Sequence, residues 1–466
     1  MDITPNFYED KKKPLYMQLY EYIKNQIKKD KLEPDEQLPS KRKLAQHLQV
    51  SMNTVENAYE QLLAEGYVYS RERVGIFVAH IEKLPDNHVK QSIKWKEIEK
   101  ERPTSRIKYD FNQGYVDLDH FPFSIWKKLT GECLSNDQKE LLLRGHPQGE
   151  WGLREEISKY LYHSRGVRCE PHQIVIGAGT QLLVSMMCRI MGKDWRISME
   201  NPGYHRSREM FLSYGIHVFP ISVEDDGIDL KELKKHSSNL VYVTPSHQFP
   251  TGKVMSIQKR SQLLEWAFKN NAYIVEDDYD GEFRYRGKPI PSLQGLDSHE
   301  RVIYLGTFSK SLIPSIRLSY MVLPNHLIEK YKNEFSFEKQ TVSRIHQKTV
   351  ELFMKEGHWE RHLNKMRTLY RKKQKTLVRS IEDYFGNEVT IIGEQSGLHL
   401  LLQIHLNMSE EELIIKAEKR TVKVYPTSVY YLEAAVNTEP HILLGFGGLS
   451  EEEIKEGVRL LYEAWK

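Results

Sequence analysis

The stretch Tyr304-Leu-Gly-Thr-Phe-Ser-Lys310-Ser decides the fold class of this chain. It continues an apolar run, 302–305, which predicts a buried strand, and that strand leads directly into hydroxyl groups and a lysine. Further short strands are predicted at 173–176, at 273–275 and from Arg317 through Val322. Because such strands alternate with helical segments after Tyr109, residues 109–466 are predicted to form a doubly wound α/β sheet.

Polar residues stand where three of these strands are predicted to end. Gly177-Ala-Gly-Thr180-Gln181 follows the predicted strand 173–176 and begins a helix, where backbone amides can hold a phosphate group. Glu276-Asp-Asp-Tyr-Asp280 follows the predicted strand 273–275, and Thr307-Phe-Ser309-Lys310 follows the predicted strand 302–305. The carboxyl ends of strands line the ligand crevice of such a sheet. Each string alone is common in ordinary loops, so the prediction of a site depends on their combination.

The combined residue types fit the chemistry of pyridoxal phosphate. That cofactor needs an amine to condense with its aldehyde, a carboxylate to keep its pyridine nitrogen protonated, and hydroxyls with a guanidinium to hold its phosphate. The amine would be Lys310 and the carboxylate Asp277. Thr307, Ser309 and Arg317 supply the phosphate ligands. The sequence therefore predicts a pyridoxal phosphate site.

Composition narrows the class of protein further. The 466 residues are 39% hydrophobic with a net charge of +3, and no apolar run is long enough to span a membrane. Residues 1–13 are charged and lack an apolar signal core, so a cytoplasmic protein is expected. The three cysteines are scattered, which predicts neither a disulfide framework nor a metal site. Residues 80–108 are rich in Lys and Glu and are predicted to be a linker.

Residues 1–79 have the pattern of a winged helix-turn-helix. Three amphipathic helices are predicted, the second capped by Ser40 and the third by Ser51, followed by two short strands. The first turn of the third helix is the part that reaches base edges in such domains. The residues predicted to contact DNA are Ser40, Lys41, Arg42, Ser51, Asn53, Thr54, Arg71, Arg73 and Gly75. From the pattern alone, a small helical protein-binding domain stays open as the alternative.

The motifs of this region resemble those of the GntR family of winged-helix regulators. The matching strings are Leu38-Pro-Ser-Lys-Arg42-x-Leu44-Ala45, Val50-Ser51 and Tyr59-x-x-Leu62-x-x-Glu65-Gly66-Tyr67. Met52 stands where that family often has arginine, and methionine cannot make bidentate contacts to guanine. The resemblance therefore implies binding to DNA whose operator either differs at that base or is read there mainly by neighbouring residues.

Residues 109–466 resemble fold type I aminotransferases with a small α+β subdomain from about 345 to 466. The whole chain resembles the MocR family, also called the GabR type, in which a GntR winged helix is fused to such a domain. The strings that carry the resemblance are His146-Pro-Gln-Gly149, Gly177-Ala-Gly-Thr-Gln181, Pro202-Gly-Tyr204, Thr244-Pro-Ser-His-Gln-Phe-Pro-Thr-Gly252, Glu276-Asp-Asp-Tyr-Asp280 and Gly306-Thr-Phe-Ser-Lys310-Ser.

This resemblance implies a role for each site residue. Lys310 would form the Schiff base with pyridoxal phosphate, and Asp277 would pair with the pyridinium nitrogen. Tyr279 would donate to the ring oxygen, Tyr204 would stack on the ring, and Arg206 would bind a ligand carboxylate. The residues implied to hold the phosphate are Thr180, Gln181, Thr307, Ser309 and Arg317. A homodimer is also implied, so that two winged helices read paired half-sites.

Two departures argue against ordinary transamination. Phe249 replaces the asparagine that contacts the cofactor's ring oxygen in working enzymes. Phenylalanine cannot donate that hydrogen bond, so either His247 or Gln248 makes the contact or it is lost. Val429 stands where a carboxylate-binding arginine is expected, and no arginine occurs between Arg420 and Arg459. Losing such a charge-assisted clamp removes about 1.5 to 3 kcal/mol of binding.

The sequence therefore predicts a transcription regulator that is not an enzyme, although residual half-transamination stays open. Its predicted partners are an operator of double-stranded DNA, a small-molecule effector and a second copy of itself, with no membrane. The effector is pyridoxal phosphate itself or an amino compound that displaces Lys310 from the cofactor aldehyde, and Val429 favours the first. The alternatives are a true aminotransferase with an added DNA-binding domain, and a domain that binds the cofactor for stability alone.

Overall fold

The computed structural model describes residues 3–5, 7, 13–81, 107–192, 194–285, 290–335, 337–432 and 439–466. These fall into two compact units, Met1–Thr104 and Ser105–Lys466. Most of the predicted linker, residues 82–106, lies outside the described residues.

The first unit consists of three helices and a hairpin. Helices α1 (Leu15–Lys28), α2 (Lys41–Leu48) and α3 (Met52–Ala64) precede the antiparallel strands β1 (Val68–Arg71) and β2 (Gly75–Val78). Ser40 and Ser51 cap α2 and α3 as the sequence predicts, each accepting a hydrogen bond from the backbone amide of the third residue of its helix. Apolar side chains at helical spacing form one core, including Leu19, Ile23, Leu44, Val55, Ala58 and Leu62.

The second unit is built on an eight-stranded mixed sheet in the order β4-β11-β10-β9-β8-β5-β6-β7. Its strands are β4 (Ile174–Gly177), β5 (Arg196–Asn201), β6 (His217–Glu224), β7 (Gly227–Ile228), β8 (Leu240–Val243), β9 (Tyr273–Asp278), β10 (Val302–Thr307) and β11 (Ser319–Val322). Successive residues of β9 point to opposite faces, and both are covered: Val275 lies in one core cluster and Ile274 in another. The first residues of β9, Tyr273 to Val275, are therefore a continuous apolar run.

Helices cover both faces of this sheet. They are α4 (Phe123–Cys133), α5 (Trp151–Arg165), α6 (Thr180–Met191), α7 (His205–Ser213), α8 (Leu230–Leu233), α9 (Ile257–Lys269), α10 (Leu293–Leu296), α11 (Asn325–Phe335) and α12 (Arg344–Lys355). Leu183, Phe211 and Leu327, from α6, α7 and α11, pack in one cluster. Leu129, Leu153 and Val350, from α4, α5 and α12, pack in another.

A second, four-stranded antiparallel sheet lies near the carboxyl end of the chain, in the order β12-β13-β16-β15. Its elements are β12 (Val389–Ile392), β13 (His399–Ile404), β15 (Tyr425–Pro426) and β16 (His441–Gly445). The helices α13 (His358–Phe385), α14 (Glu410–Lys419) and α15 (Glu451–Trp465) pack on it, and β3 (Tyr109–Asp110) pairs with β14 (Val422–Lys423). Tyr109 and Phe111 belong to this smaller core, whereas Val350 and Phe353 of α12 pack with the large sheet.

The structure corrects several sequence-based strand boundaries. Strand β9 extends to Asp278 and β10 to Thr307, so residues that were predicted to follow these strands lie within them. Arg317 was predicted to begin a strand, but β11 begins at Ser319. Arg317 follows the 3-10 turn Pro314–Ile316 with φ 48, a left-handed conformation that a strand does not adopt. This turn is what directs Arg317 toward the ends of the neighbouring strands.

Candidate functional site

A cavity of about 270 Å³ lies at one edge of the large sheet. Thr307, Ser319 and Gly177 are register partners across β10, β11 and β4, so the ends of these strands meet there. The cavity is lined by all ten residues that the sequence analysis assigned to it: Thr180, Gln181, Tyr204, Arg206, Asp277, Tyr279, Thr307, Ser309, Lys310 and Arg317. Segments more than 130 residues apart in sequence therefore meet around one space.

Lys310 lies three residues after the end of β10 and is partly buried. Its Nζ donates to the backbone oxygen of Gln113 and, at 3.0 Å, to Gln113 Oε1. Burial lowers the pKa of Lys310 to about 8, against an opposing effect of Asp280. A lowered pKa increases the fraction of neutral, nucleophilic amine near neutral pH.

Asp277 lies within β9 and is 4% exposed. Its Oδ2 accepts a hydrogen bond from the hydroxyl of Tyr242. The pKa of Asp277 is raised to about 7, because burial and then the charges of Asp278 and Asp280 outweigh the Tyr242 hydrogen bond, which lowers it. Among the described residues no cation forms an ion pair with this carboxylate, so a cationic ring nitrogen would complete the site.

The residues predicted to hold phosphate form an anion cradle. Helix α6 starts at Thr180 after Gly179, whose φ is 102, and no side chain caps its first turn. A Cβ at Gly179 would overlap the Arg317 guanidinium, which also donates to Ala178 O at 3.2 Å. A helix amino terminus, a guanidinium and the hydroxyls of Thr307 and Ser309 together favour a phosphate group. The donor set of this structure therefore fits pyridoxal phosphate.

Aromatic side chains form the opposite wall of the cavity. Tyr204 precedes α7, and its ring lies 5.5 Å from that of Phe249 in an edge-to-face arrangement. Phe249 in turn packs 4.8 Å from the ring of Tyr430. Arg206 lines the cavity and is exposed. This wall offers stacking surface and one cation, the combination suited to a flat ring or to an apolar ligand with one anionic group.

The replacement of asparagine by Phe249 is not compensated in the way the sequence suggested. Neither His247 nor Gln248 lines the cavity, and the Gln248 amide donates to Pro202 O at 2.8 Å. His247 instead lies behind Tyr279, whose hydroxyl is 2.9 Å from His247 Nδ1 and donates to His247 O. His247 therefore orients Tyr279, the remaining residue suited to a ring oxygen.

Several residues of the site escaped the sequence analysis. Asn112, Gln113, Gly114, Thr244 and Ser319 also line the cavity. The run Asn112-Gln113-Gly114, polar residues and a glycine soon after a strand, was a usable signal for the first three. The structure also brings His247, Asp280 and His399 together, with metal-ligating atoms within 4.8 Å of one another. No local pattern could have joined these residues, because β13 carries His399 far along the chain.

Val429 lies in the 3-10 turn Ser428–Tyr430 and is 47% exposed. It does not line the cavity. Arg208 of α7 donates to the backbone oxygens of Val429 and Tyr430, each at 3.2 Å. The Arg208 guanidinium therefore lies close to this turn, but it binds the turn's backbone oxygens.

In the first unit, the nine residues predicted to contact DNA are all exposed or partly exposed. Two of the basic ones are already engaged. Lys41 forms an ion pair with Glu56 of α3, while Arg71 lies 4.7 Å from the centre of the Phe77 ring and 3.4 Å from Asp35. Met52 is 55% exposed at the start of α3. The first turn of α3 is thus open to a ligand.

Two protein families match this chain. Residues 15–78 match bacterial regulatory proteins of the gntR family, and residues 106–461 match aminotransferase class I and II. The chain is 46% identical to the uncharacterized HTH-type transcriptional regulator YdeL of Bacillus subtilis (strain 168), over 100% of both chains. It is 34% identical to the probable rhizopine catabolism regulatory protein MocR of Rhizobium meliloti, over 97% of this chain and 94% of that protein.

A solved structure also matches the second unit. Kynurenine aminotransferase from Pyrococcus horikoshii is 25% identical, with a TM-score of 0.70 over 78% of this chain and 91% of that one. The fold and the site thus define a winged helix-turn-helix joined to a fold type I aminotransferase-like domain. The chain belongs to the MocR type of GntR regulators. No helix in the described part of the chain is long and apolar enough to cross a membrane.

Proposed function

We propose that this chain is a cytoplasmic, homodimeric transcription regulator that binds pyridoxal phosphate around Lys310 and double-stranded operator DNA through its first unit. The observation that carries the proposal is the convergence of all ten assigned residues on one cavity, in a chain that also has a GntR domain. Similarity to regulators over the full length favours regulation over turnover.

Bound pyridoxal phosphate would supply an aldehyde for amines and an electron-withdrawing ring. Lys310 is the amine placed to condense with that aldehyde. Asp277 would hold a proton on the ring nitrogen, and Tyr279 would donate to the ring oxygen. The cradle around Gly179 and Arg317 would hold the phosphate, and Tyr204 would stack on the ring.

Two effectors fit this site. In the first version the effector is pyridoxal phosphate itself, so that cofactor supply changes DNA binding. In the second it is an amino compound that displaces Lys310, with Arg206 holding its anionic group. Among the described residues that line the cavity, Arg206 is the one cation left when Lys310 is assigned to the aldehyde and Arg317 to the phosphate, and the lack of a second favours the first version. In either version the effector acts only to the extent that it binds one conformation better than the other.

The test is DNA binding by protein stripped of cofactor, on DNA upstream of its own gene and of neighbouring divergent genes. A change of affinity or footprint on adding pyridoxal phosphate supports the first version. If binding changes only when amines are added to the cofactor-loaded protein, the second version holds. Lys310→Ala should lose the response in both cases. DNA binding that is indifferent to cofactor and amines would contradict the proposal and favour a purely structural cofactor.

A true aminotransferase is the second candidate, favoured by the lowered pKa of Lys310 and by the fold. It predicts steady turnover of an amino donor and a keto-acid acceptor that is lost in Lys310→Ala. A single half-reaction without turnover would instead agree with the regulator.

A further inference from the structure

Asp277 is held in place by a buried hydrogen-bond chain that starts on helix α7. The Ser207 Oγ lies 3.0 Å from the Tyr242 hydroxyl, and that hydroxyl donates to Asp277 Oδ2. We propose that Tyr242 is a positioning residue for Asp277 and that Ser207 ties this pair to the helix that carries Arg206. The proposal rests on the proposed function, because Asp277 would act on the ring nitrogen of bound pyridoxal phosphate.

The geometry of the chain is well defined by the fold. Tyr242 belongs to β8, which pairs in parallel with β9, the strand that carries Asp277. Ser207, Tyr242 and Asp277 are 0%, 2% and 4% exposed. Water therefore does not compete for these bonds, and a buried hydroxyl with a fixed acceptor holds one orientation.

The hydroxyl of Tyr242 leaves the second carboxylate oxygen available. Within the described part of the chain, Asp277 Oδ1 accepts no hydrogen bond, and Asp277 lines the cavity. A carboxylate that receives a bond on one oxygen keeps its charge more readily and presents the other oxygen in a fixed direction. Tyr242 thus orients Asp277 from outside the cavity lining.

Ser207 stands between two residues that face other parts of the unit. Arg206 lines the cavity. Arg208 donates to the backbone oxygens of Val429 and Tyr430, in the 3-10 turn Ser428–Tyr430. One turn of α7 is therefore connected to the ligand wall, to Asp277 and to the carboxy-terminal turn. A ligand that moves Arg206 would also move Ser207, and the Tyr242 bond would transmit that shift to Asp277.

The charge on Asp277 is sensitive to this bond because of its other neighbours. Burial, together with the charges of Asp278 and Asp280, raises its pKa to about 7. Glu200 of β5, Tyr204 and Tyr279 also interact with it electrostatically. The Tyr242 hydrogen bond opposes these effects, so removing the hydroxyl should let Asp277 take up a proton at a higher pH.

The test is Tyr242→Phe in the full-length protein, with Tyr331→Phe as control. Tyr331 is a buried tyrosine in the same hydrophobic core that does not line the cavity. We expect Tyr242→Phe to weaken pyridoxal phosphate binding about tenfold or more, since a hydrogen bond to a charged group is lost. The acid side of the affinity-against-pH curve, where Asp277 becomes protonated, should move to higher pH. Tyr331→Phe should change neither.

The visible absorbance of bound pyridoxal phosphate gives a second readout. Its wavelength should shift in Tyr242→Phe as the ring nitrogen loses its charged partner, and a purely structural role for Tyr242 would not move the pH curve or this band. Ser207→Ala should cause a smaller change in the same direction while the thermal unfolding of the stripped protein stays close to wild type.

The outcomes separate this inference from the proposed function. If wild-type protein does not bind pyridoxal phosphate at Lys310, as checked by borohydride reduction and mass spectrometry, the proposed function fails. If wild type binds the cofactor and Tyr242→Phe keeps the wild-type affinity, pH curve and absorbance, Tyr242 is not a positioning residue and the inference is overturned.

Discussion

The cavity around Lys310 and the exposed first turn of α3 are built in opposite ways. The cavity collects residues from Asn112 to Ser319 and keeps its central carboxylate buried. The α3 turn presents consecutive residues, Ser51 to Thr54, directly to solvent. A surface made of neighbouring residues depends on one helix and its cap, whereas a cavity made of distant residues depends on the whole sheet.

This difference has consequences for mutations. Changes in the cavity should alter cofactor binding and the pH response strongly, because burial amplifies charge and leaves no room for new atoms. Changes at the α3 turn should have small, salt-dependent effects, because water and counterions screen exposed charges.

The largest effect is expected from Lys310→Ala. It removes the amine that would bond the cofactor aldehyde, so covalent attachment should disappear, as checked by borohydride reduction followed by mass spectrometry. Binding of the stripped protein to DNA should be unchanged, because without the cofactor Lys310 has no aldehyde to bond. Lys332→Ala, an exposed lysine of α11, is the control. Retained covalent labelling in Lys310→Ala would show that the cofactor is attached to another residue.

Gly179→Ala should be next in size. The Cβ of the new alanine would overlap the Arg317 guanidinium, and alanine is strained at the φ of 102 that Gly179 adopts. Both a steric clash and backbone strain therefore oppose the substitution. We expect pyridoxal phosphate affinity to fall by about tenfold or more, measured by fluorescence titration. Gly215→Ala, where φ is 72 and the space is open, shows the effect of strain alone. Equal losses in the two variants would mean that the cradle is unimportant.

Asp277→Asn should have opposite effects on stability and binding. The pKa of Asp277 is raised to about 7 in the folded protein from an ordinary 3.8, so folding loses stability as pH rises between these values. Asparagine avoids that loss and should stabilise the unliganded protein by on the order of 2 kcal/mol at slightly alkaline pH, and by much less in acid. Denaturant unfolding at both pH values checks this. Cofactor affinity should fall at the same time, and a destabilised variant at alkaline pH contradicts the assignment.

A smaller effect is expected from Arg42→Ala on α2. Loss of one phosphate contact should weaken operator binding severalfold and reduce the slope of affinity against salt concentration by about 1. Lys31→Ala, an exposed residue of the same unit outside the predicted contact set, is the control. Fluorescence anisotropy over a range of salt concentrations measures both quantities, and an unchanged slope would remove Arg42 from the interface.

The smallest effects should come from the helix caps, which allow the two units to be compared with the same chemistry. Ser51 caps α3 and Ser256 caps α9, each accepting from the backbone amide three residues later. Replacement by alanine should cost about 1 kcal/mol in either place, measured by denaturant unfolding. Only Ser51→Ala should also weaken DNA binding. An equal loss of DNA binding in both variants would contradict the assignment of DNA contacts to the first turn of α3.

Much of the fold could be predicted from the sequence because its signals are local. Ser40 and Ser51 cap the helices that their spacing predicts, and the buried apolar runs became strands, β4 within one residue of its predicted bounds and β9 with three more residues at its end. Arg317 shows the limit of such boundary predictions. Its left-handed φ follows from the turn that precedes it, and residue type alone does not encode that geometry.

The cavity residues were found because the chemistry of pyridoxal phosphate requires a known set of groups, and the motifs of the family contain them in order. Gln113, Thr244 and Ser319 were missed because their types are common in loops and strands everywhere. The role of His247 was also unpredictable, since its position behind Tyr279 depends on how the segment after β8 turns.

By itself, the sequence of this protein determined the two classes of domain, the helix caps, the strands and the identity of the groups that a cofactor would need. These features depend on periodicity, capping and residue chemistry, which act over a few neighbouring residues. Only the tertiary structure decided that Lys310 faces Gln113, that Tyr242 and Ser207 hold Asp277, and that Val429 lies outside the cavity. Such contacts join segments far apart in the chain, and burial, which sets their strength and the charge of Asp277, exists only once the whole sheet has formed.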